Sequence, residues 1–316
     1  MARGTDAPSF HPDLTRARLM PRTSATARNR RLLRAVGRIG AARAPRGGEL
    51  VPLEGGARIR VHWPSAARET EGRLPAVMQI HGGGLIIGSA RGSDALCRTL
   101  ADELGAVVAS VDYRLPPEHP YPAPLDDCAA ALAWLARHDR VDPARIALTG
   151  DSAGGGLAAA LTARTIDAGE LSLAGQALMY PMLDDRTAAD PSHTDPAHVR
   201  LWNGASNRLG WGMYLGGLAA HPPADAVPAR RPEFAGFPPT WIAVGTADLF
   251  YDEDVAYAAR VRRDGGRCEL VTIPGAYHGF DVAEPRAAIS RNTARRRIEA
   301  LRTMLSPTEH IEADET

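Results

Sequence analysis

Short apolar runs alternate with helical patterns along the chain from about residue 49 onward. Residues 76–80 and 106–113 are continuous apolar runs, which are typical of strands covered on both faces of a sheet. Residues 94–104 lie between them with helical spacing, and Gly105 stands just past the end of this predicted helix. The pattern predicts further strands at 51–53, 58–63, 145–149, 174–180, 240–245 and 267–273, and further helices at 123–138, from about 152, 252–263 and 286–304. About eight strands with alternating helices indicate an α/β protein with a mostly parallel sheet and helices on both faces.

Two segments do not follow this alternation. Residues 1–48 are rich in arginine, and their apolar side chains suggest a docking helix: Leu32, Leu33, Val36 and Ile39. Residues 184–238 are rich in Pro, Asp and His. Helical pieces inserted into such a sheet tend to lie above the carboxyl ends of its strands, where ligands bind. We therefore expect 1–48 to be an N-terminal helical arm and 184–238 a cap insertion with its connector, over a core formed by 49–183 and 239–316.

The composition excludes several kinds of chemistry. All 37 cationic side chains are arginine, and the chain contains no lysine. A phosphate-binding P-loop, a Schiff-base enzyme and a Ser-Lys acyl transferase all need a lysine, so none of them is expected. The sequence has no H-E-x-x-H or paired-cysteine motif for a metal and no G-x-G-x-x-G for a dinucleotide. We expect neither a metal nor another cofactor.

Cysteine use and charge bear on the location and partners of the protein. Three scattered cysteines fit neither a disulfide framework nor a zinc site, and they favour a reducing, cytoplasmic compartment. No apolar run approaches the ~18 residues of a membrane span, so no membrane partner is expected. Residues 1–46 hold eleven arginines against Asp6 and Asp13, a net charge of +9. The segment lacks interleaved aromatic residues, so packing on an acidic body explains it more simply than binding to nucleic acid.

The sequence Gly-Asp-Ser-Ala-Gly at 150–154 is a G-x-S-x-G motif with a candidate nucleophile, Ser152. It follows a predicted strand and opens a predicted helix, which is the setting that a nucleophile elbow requires. Its glycines allow the tight turn that exposes the serine Oγ at the end of the strand. A glycine-rich junction between a strand and a helix could contain the same motif without any catalytic role, but the strand–turn–helix context favours a nucleophile.

The sequence His-Gly-Gly-Gly at 81–84 follows another predicted strand. Acyl transfer places negative charge on a carbonyl oxygen, and backbone N–H groups must lie within ~3 Å of it. Glycines let the main chain come that close, and the residue after the nucleophile, Ala153, is expected to supply a further N–H. We expect His81 to orient this loop rather than to act as a base. A phosphate-binding loop would need a helix directly after the glycines, where the chain instead has the apolar residues 85–87.

A serine nucleophile needs a base and an orienting carboxylate, which follow it in the order acid, then histidine, in this architecture. Asp248 is the first acidic residue after the predicted strand 240–245, and His278 lies in the loop after the last predicted strand. The carboxyl ends of these strands would deliver both side chains to Ser152. The acids at 252–254 fall in the first turn of the next helix, where acidic residues are favoured in any case.

Together these motifs resemble the hormone-sensitive-lipase-like family of α/β-hydrolases, in its bacterial carboxylesterase branch. The resemblance runs from about residue 49 to the C-terminal helix and includes Asp-Tyr-Arg-Leu-Pro-Pro-Glu at 112–118 and Tyr-His-Gly-Phe at 277–280. It implies an α/β-hydrolase fold with a helical cap that is built from the arm and the insertion. Pro116 and Leu249 depart from the residues usual in the family, but both occupy supporting positions.

Carried over position by position, the resemblance assigns Ser152 as nucleophile, His278 as general base and Asp248 as its partner. It implies an oxyanion hole formed by Gly82, Gly83 and Ala153. Arg114 and Glu118 are expected to brace the oxyanion loop. The candidate substrate-binding residues are Leu85, Trp202, Trp211 and Tyr214.

The sequence therefore predicts a serine carboxylesterase that acts on small esters with short acyl chains. An amidase, a lactonase or an N-acyl hydrolase would use the same parts, so these substrates stay open. A plant hormone receptor of the same family keeps the fold but lacks the catalytic histidine, and His278 argues against this alternative. The family also suggests a homodimer formed through the last strand and a nearby helix.

Overall fold

One eight-stranded sheet forms the centre of the molecule in the computed structural model, which describes residues 10–68, 72–192 and 195–306. The first nine residues of the predicted arm, residues 193–194 of the predicted cap and residues 307–316 lie outside the described residues. The strands are β1 (Gly48–Pro52), β2 (Arg58–His62), β3 (Leu74–Ile80), β4 (Val107–Asp112), β5 (Val141–Asp151), β6 (Gly175–Met179), β7 (Thr240–Gly245) and β8 (Cys268–Ile273).

The strand order is β1-β2-β4-β3-β5-β6-β7-β8. Strand β2 runs antiparallel to both β1 and β4, and all other neighbouring strands are parallel. The prediction of an eight-stranded, mostly parallel sheet is confirmed. Because β3, β5, β7 and β8 are parallel, the loops that follow them meet at one edge of the sheet.

Helices pack on both faces of this sheet. They are α1 (Arg30–Arg38), α2 (Asp94–Leu104), α3 (Ala123–Arg137), α4 (Ala153–Ala168), α5 (Gly204–Leu215), α6 (Tyr251–Arg263), α7 (Phe280–Ala283) and α8 (Ala288–Leu305). Successive residues of β3 point to opposite faces, where Val77 packs in the cluster that contains α2 and α8 and Met78 packs in the one that contains α3, α4 and α6. No helix in the described ranges is long and apolar enough to cross a membrane.

Two elements differ from the sequence pattern. Strand β5 begins at Val141, which pairs with Leu74, although the pattern predicts a start at 145. The Asp-Pro pair at 142–143 breaks the apolar run and hides this part of the strand. Helix α7 is a single turn after Gly279, too short for periodicity to detect.

The two segments that interrupt the alternation bond to each other. The N–H of Ser24 donates to the carbonyl of Leu201 at 2.9 Å, and the N–H of Leu201 donates to the carbonyl of Pro21 at 2.8 Å. The hydroxyl of Ser206 donates to the carbonyl of Ala25 at 2.7 Å. The arm and the insertion therefore meet above the same part of the molecule.

Two acidic side chains of α6 are buried rather than exposed at its first turn. Oε1 of Glu253 accepts the N–H of Leu183 at 2.6 Å, which joins α6 to the loop after β6. Asp254 is 0% exposed, and neither of its carboxyl oxygens has a hydrogen-bond donor among the described residues. Burial raises the pKa of Asp254 well above its ordinary value, and the nearby Glu253 and Asp248 raise it further. A helix-dipole explanation therefore does not account for these two residues.

Replacement of Asp254 by Asn should stabilise the protein at neutral and alkaline pH. A carboxyl with a raised pKa keeps its proton in the folded protein, whereas the unfolded chain releases it above the ordinary pKa of 3.8. The contribution of the Asp254 carboxyl to the free energy of unfolding is thus fully present below pH ~4 and is lost as the pH rises. We expect Asp254→Asn to raise the free energy of unfolding by about 1–2 kcal/mol at pH ~8, measured by urea denaturation.

The exposed Asp139 provides the matched control, since Asp139→Asn should change stability by less than ~0.5 kcal/mol at either pH. A gain for Asp254→Asn that is as large at pH ~4 as at pH ~8 would contradict the proton-linked explanation.

Candidate active site

Three side chains at the carboxyl edge of the sheet form a continuous chain of hydrogen bonds. Nε2 of His278 lies 2.9 Å from Oγ of Ser152, and Nδ1 of His278 lies 2.9 and 3.1 Å from the carboxylate oxygens of Asp248. All three residues are buried. The loops after β5, β7 and β8 carry them, in that order. The structure thus brings together the serine, acid and histidine selected from the sequence.

The backbone at Ser152 is held in a sparsely populated conformation, with φ +56° and ψ −120°. Its N–H donates to the carbonyl of Met179, and its carbonyl accepts the N–H of Met182, both at 2.9 Å. Gly154 must lack a side chain, because a Cβ there would lie 2.1 Å from the carbonyl oxygen of Ile80. Contacts with the ends of β3 and β6 therefore fix the turn that presents the serine hydroxyl.

The imidazole of His278 lies between two aromatic rings. The ring centroids of Tyr180 and Phe250 lie 4.7 and 5.1 Å from that of His278, in edge-to-face arrangements. The Tyr180 hydroxyl donates to Asp281 at 2.5 Å, and the N–H of Phe250 donates to Oδ1 of Asp248 at 3.0 Å. Both the imidazole and the carboxylate beside it are thus held in position.

The His-Gly-Gly-Gly loop is fixed by its own histidine. The His81 ring stacks on Tyr113 with centroids 4.2 Å apart, and the Tyr113 hydroxyl donates to the carbonyl of His81 at 3.0 Å. Nδ1 of His81 lies 2.8 Å from the carbonyl oxygen of Gly82. Burial lowers the pKa of His81, so its imidazole is neutral around pH 7. These contacts suit a residue that orients the loop.

The cap segment packs directly on this loop. Gly84 has φ +56°, and a Cβ there would lie 1.8 Å from the indole of Trp202. A Cβ on Gly210 in α5 would lie 2.5 Å from the carbonyl oxygen of Gly84. Nε1 of Trp202 donates to Oδ1 of Asn207 at 3.2 Å, which fixes the indole. The close approach therefore requires both glycines.

A cavity of ~460 Å³ opens beside Ser152 and His278. Its apolar lining comes from α1, the loop after β3, the segment before α5 and α7: Val36, Ile87, Leu201, Trp202 and Val282. A larger cleft of ~1160 Å³ lies near Trp241 and Met304, away from these three hydrogen-bonded side chains. The smaller cavity is therefore the candidate substrate pocket.

Only one of the four predicted substrate-binding residues, Trp202, lines this cavity in the described structure. Leu85, Trp211 and Tyr214 are instead buried in the core, with exposures of 3%, 4% and 1%. Tyr214 packs edge-on against Tyr121, at 5.8 Å between ring centroids. The expectation for Leu85, Trp211 and Tyr214 is therefore corrected, because these side chains pack in the hydrophobic core and do not line the cavity.

A buried guanidinium that the sequence analysis missed lies beneath the serine turn. Arg297 of α8 is 3% exposed and donates to Asp151 at 2.7 Å, to Gln79 at 2.9 Å and to Thr149 at 2.9 Å. Gln79 in turn donates to Asp151 at 2.6 Å. The carboxylate directly before Ser152 is thus bound from both β3 and α8. The sequence does contain one indication of this residue. Arg297 stands four positions before Leu301, so both lie on the apolar face of α8.

A second buried arginine joins α1 to the loops that follow β3 and β4. Arg34 donates to the carbonyl of Ile86 at 2.6 Å, to the carbonyl of Pro116, and to Glu118 at 2.5 Å. Burial alone would raise the pKa of Glu118, but the hydrogen bonds from Arg34 and from its own backbone, together with the charges of Arg34 and Arg30, lower the pKa to about 2. Arg114 pairs separately with Asp127 at 2.8 Å. A helix that buries arginine was not expected from the pattern of the arm.

Replacement of Arg297 should destabilise the protein, because it leaves the partly buried Asp151 carboxylate and two buried polar side chains without their donor. We expect Arg297→Met to lower the free energy of unfolding by about 2–4 kcal/mol in urea denaturation, because Asp151, Gln79 and Thr149 all lose a hydrogen bond from the guanidinium. Arg296→Met on the same helix is the control, since Arg296 is exposed and should cost less than ~1 kcal/mol.

Adding Asp151→Asn to Arg297→Met should recover part of the loss, because the unpaired charge is removed. A loss for Arg297→Met no larger than that for Arg296→Met would contradict this assignment.

No three His, Cys, Asp or Glu side chains within the described ranges gather as a metal-ligand set.

Comparisons with known proteins support the hydrolase resemblance. A sequence profile described as the alpha/beta hydrolase fold matches residues 77–282. Esterase LipI of Mycobacterium tuberculosis (strain ATCC 25618 / H37Rv) is 35% identical over 254 residues, which cover 78% of each protein. Carboxylesterase NlhH of Mycobacterium tuberculosis (strain CDC 1551 / Oshkosh) is 36% identical over 243 residues, 73% of this chain and 74% of that protein.

The solved structure of a bacterial heroin esterase aligns with a TM-score of 0.82 at 33% identity, over 95% of this chain and 99% of that one. The profile covers more than half of the chain, and these relatives align over most of both lengths. The chain therefore belongs to the α/β-hydrolases, in the hormone-sensitive-lipase-like family.

Proposed function

We propose that this protein is a serine carboxylesterase that hydrolyses small esters with short acyl chains. The observation that carries the proposal is the 2.9 Å contact between Ser152 Oγ and His278 Nε2 at an apolar cavity. LipI is named an esterase and NlhH a carboxylesterase, which agrees with this proposal.

In the proposed reaction, Ser152 Oγ attacks the ester carbonyl carbon while Nε2 of His278 accepts the hydroxyl proton. Because Nδ1 of His278 faces Asp248, the carboxylate favours the tautomer whose Nε2 is free to accept, and it stabilises the imidazolium. His278 then passes its proton to the leaving alcohol, and an acyl group stays on Ser152. Water attacks this acyl-enzyme by the same route and releases the acid, so no cofactor is needed.

The negative oxygen of the tetrahedral intermediate needs hydrogen-bond donors that are already in place. We assign this role to the backbone N–H groups of Gly82, Gly83 and Ala153. Gly82 lies close to the nucleophile, since a Cβ there would be 3.4 Å from Cβ of Ser152. Ala153 is the first residue of α4, so its N–H also lies at the positive end of that helix.

The dimensions of the cavity support short acyl groups. A volume of ~460 Å³ accommodates a small ester, and Trp202 closes the side next to the oxyanion loop. An amide, a lactone or an N-acyl compound would meet the same serine and the same donors. These substrates remain the alternative to small esters.

The proposal extends to organisation and location. Residues 49–183 and 239–316 would form the hydrolase core, and residues 1–48 and 184–238 the cap, which is supported by the hydrogen bonds between Ser24 and Leu201 and between Ser206 and Ala25. Strand β8 ends the sheet, and a homodimer would add a second copy along it. The three unpaired cysteines favour a cytoplasmic location.

Replacement of the nucleophile gives the direct test. We expect Ser152→Ala to lower kcat for p-nitrophenyl acetate by ~10⁴-fold or more. The reason is that His278 and Asp248 act together with the serine as one unit and cannot replace it. A fluorophosphonate probe should label the unaltered protein at Ser152. Ser172→Ala, at an exposed serine remote from the cavity, is the matched control and should retain full activity. Near-normal turnover by Ser152→Ala would refute the assignment.

A series of p-nitrophenyl esters from acetate to laurate tests the substrate class. The limited cavity should give the highest kcat/KM for the short chains and a value roughly tenfold or more lower for laurate. Matching p-nitroanilides should react more slowly than the esters. A preference for the anilides would favour the amidase alternative instead.

A further inference from the structure

Helix α1 buries two of its four arginines, whereas most of its large apolar side chains are exposed. Arg30 and Arg34 are 8% and 7% exposed, whereas Leu32, Val36 and Ile39 are 66%, 57% and 67% exposed. A surface helix normally turns its apolar face to the core. Here the buried arginine face binds the body of the protein, so the apolar face is left to solvent.

Exposed apolar side chains continue from α1 around the mouth of the cavity. Val36 and Val282 both line the cavity, and Val282 is 75% exposed. Leu19 is 80% exposed and follows Arg16, whose N–H donates to Glu284, just after α7, at 3.0 Å. Both the arm and α7 therefore contribute to this surface.

We call this surface the apolar rim, formed by Leu19, Leu32, Val36, Ile39 and Val282. These are five of the six large apolar side chains that are exposed in the described part of the chain. The sixth, Leu218, follows α5 in the cap segment. Val36 and Val282 line the cavity, and Leu32 and Ile39 flank Val36 at helical spacing in α1 and its C-cap. Such a concentration is typical of an interaction site rather than of scattered surface residues.

Cations accompany the apolar rim. Exposed arginines stand beside it in the sequence: Arg18, Arg22, Arg28, Arg31 and Arg38. Residues 10–46 contain ten arginines and a single acid, Asp13. A guanidinium stays charged at all physiological pH values, so this charge is permanent. A partner that covers the rim must therefore be apolar where it meets the rim and negative around it.

We propose that the apolar rim docks on the surface of an anionic lipid layer, from which lipophilic esters enter the cavity. The entry of esters rests on the proposed function, whereas the docking itself does not. The side chains of the apolar rim would insert among the acyl chains of the lipids, and the lipid phosphates would lie opposite the arginines. The sequence predicts no membrane partner because no apolar run is long enough to span a membrane. A helix that docks on a lipid surface does not need such a span, so the proposal departs from that prediction but agrees with the lengths of the helices.

The charges disfavour a second copy of the chain as the occupant. A two-fold contact brings the same patch of each copy together, so the arginines beside one rim would approach those of the other. An anionic lipid surface instead offers opposite charge across the whole face. Salt should weaken this binding, since the arginines are exposed to solvent.

The experiment measures cosedimentation of the Ser152→Ala protein with vesicles, so that no ester is turned over. Vesicles of phosphatidylcholine are compared with vesicles that also contain phosphatidylglycerol. We expect binding to the anionic vesicles to be at least roughly tenfold tighter, and to weaken with added salt. Leu32→Gln/Ile39→Gln and, separately, Arg28→Gln/Arg31→Gln should each lower it by roughly tenfold. Leu218→Gln is the matched control and should bind normally.

Failure to bind, equal binding to both kinds of vesicle, or normal binding by both double variants would overturn the proposal. Dimerisation that is lost in Leu32→Gln/Ile39→Gln while vesicle binding is unchanged would assign the rim to a second copy and would also overturn it.

A second assay distinguishes failure of the docking proposal from failure of the esterase proposal. It measures the hydrolysis of p-nitrophenyl acetate in solution by proteins that keep Ser152. Leu32 and Ile39 lie beyond the cavity lining, so their double variant should retain normal turnover. Absence of turnover in the unaltered protein would refute the esterase and the entry of esters, and the vesicle result would still decide the docking.

Discussion

The backbone conformation of Ser152 is the constraint on which the rest of the site depends. A positive φ at a non-glycine residue is costly, and it persists only where the surroundings determine it. Met179 at the end of β6 and Met182 in the loop after it each share one backbone hydrogen bond with this residue, Gly154 lets β3 approach, and Arg297 binds the preceding carboxylate from α8. Three separate parts of the fold thus maintain one turn. Only with that turn in place does the hydroxyl meet the imidazole of His278.

Local pattern was enough to find the fold class and to select the three residues that meet at the sheet edge. Ser152, Asp248 and His278 each follow a strand, and parallel strands bring their carboxyl ends together, so chain order predicts spatial proximity. Arg297 could not be predicted, because its partners are set by tertiary packing. Trp211 was misplaced since a large aromatic on a helix fits a core as well as a pocket.

The absence of lysine has a structural counterpart in the buried arginines. Arg34 and Arg297 each bind three different groups, and Arg60 binds Asp94 together with the carbonyls of Ala41 and Arg43. A planar guanidinium can reach several acceptors in fixed directions, which an ammonium group cannot do. These cations therefore connect segments that are distant in sequence. In this protein arginine acts as a structural cross-link as well as a surface charge.

The position of Arg34 has a consequence for how substrates reach the serine. If the arm moved away, the carbonyls of Ile86 and Pro116 would lose their donor, and Ile86 belongs to the turn that closes on Gly83. Opening the arm would therefore loosen the loop to which we assign stabilisation of the oxyanion. Entry and catalysis are compatible only while the arm stays bound. Under the proposed function, the fixed apolar lining to which Val36 and Val282 contribute, rather than the movement of a lid, would then set which esters are admitted.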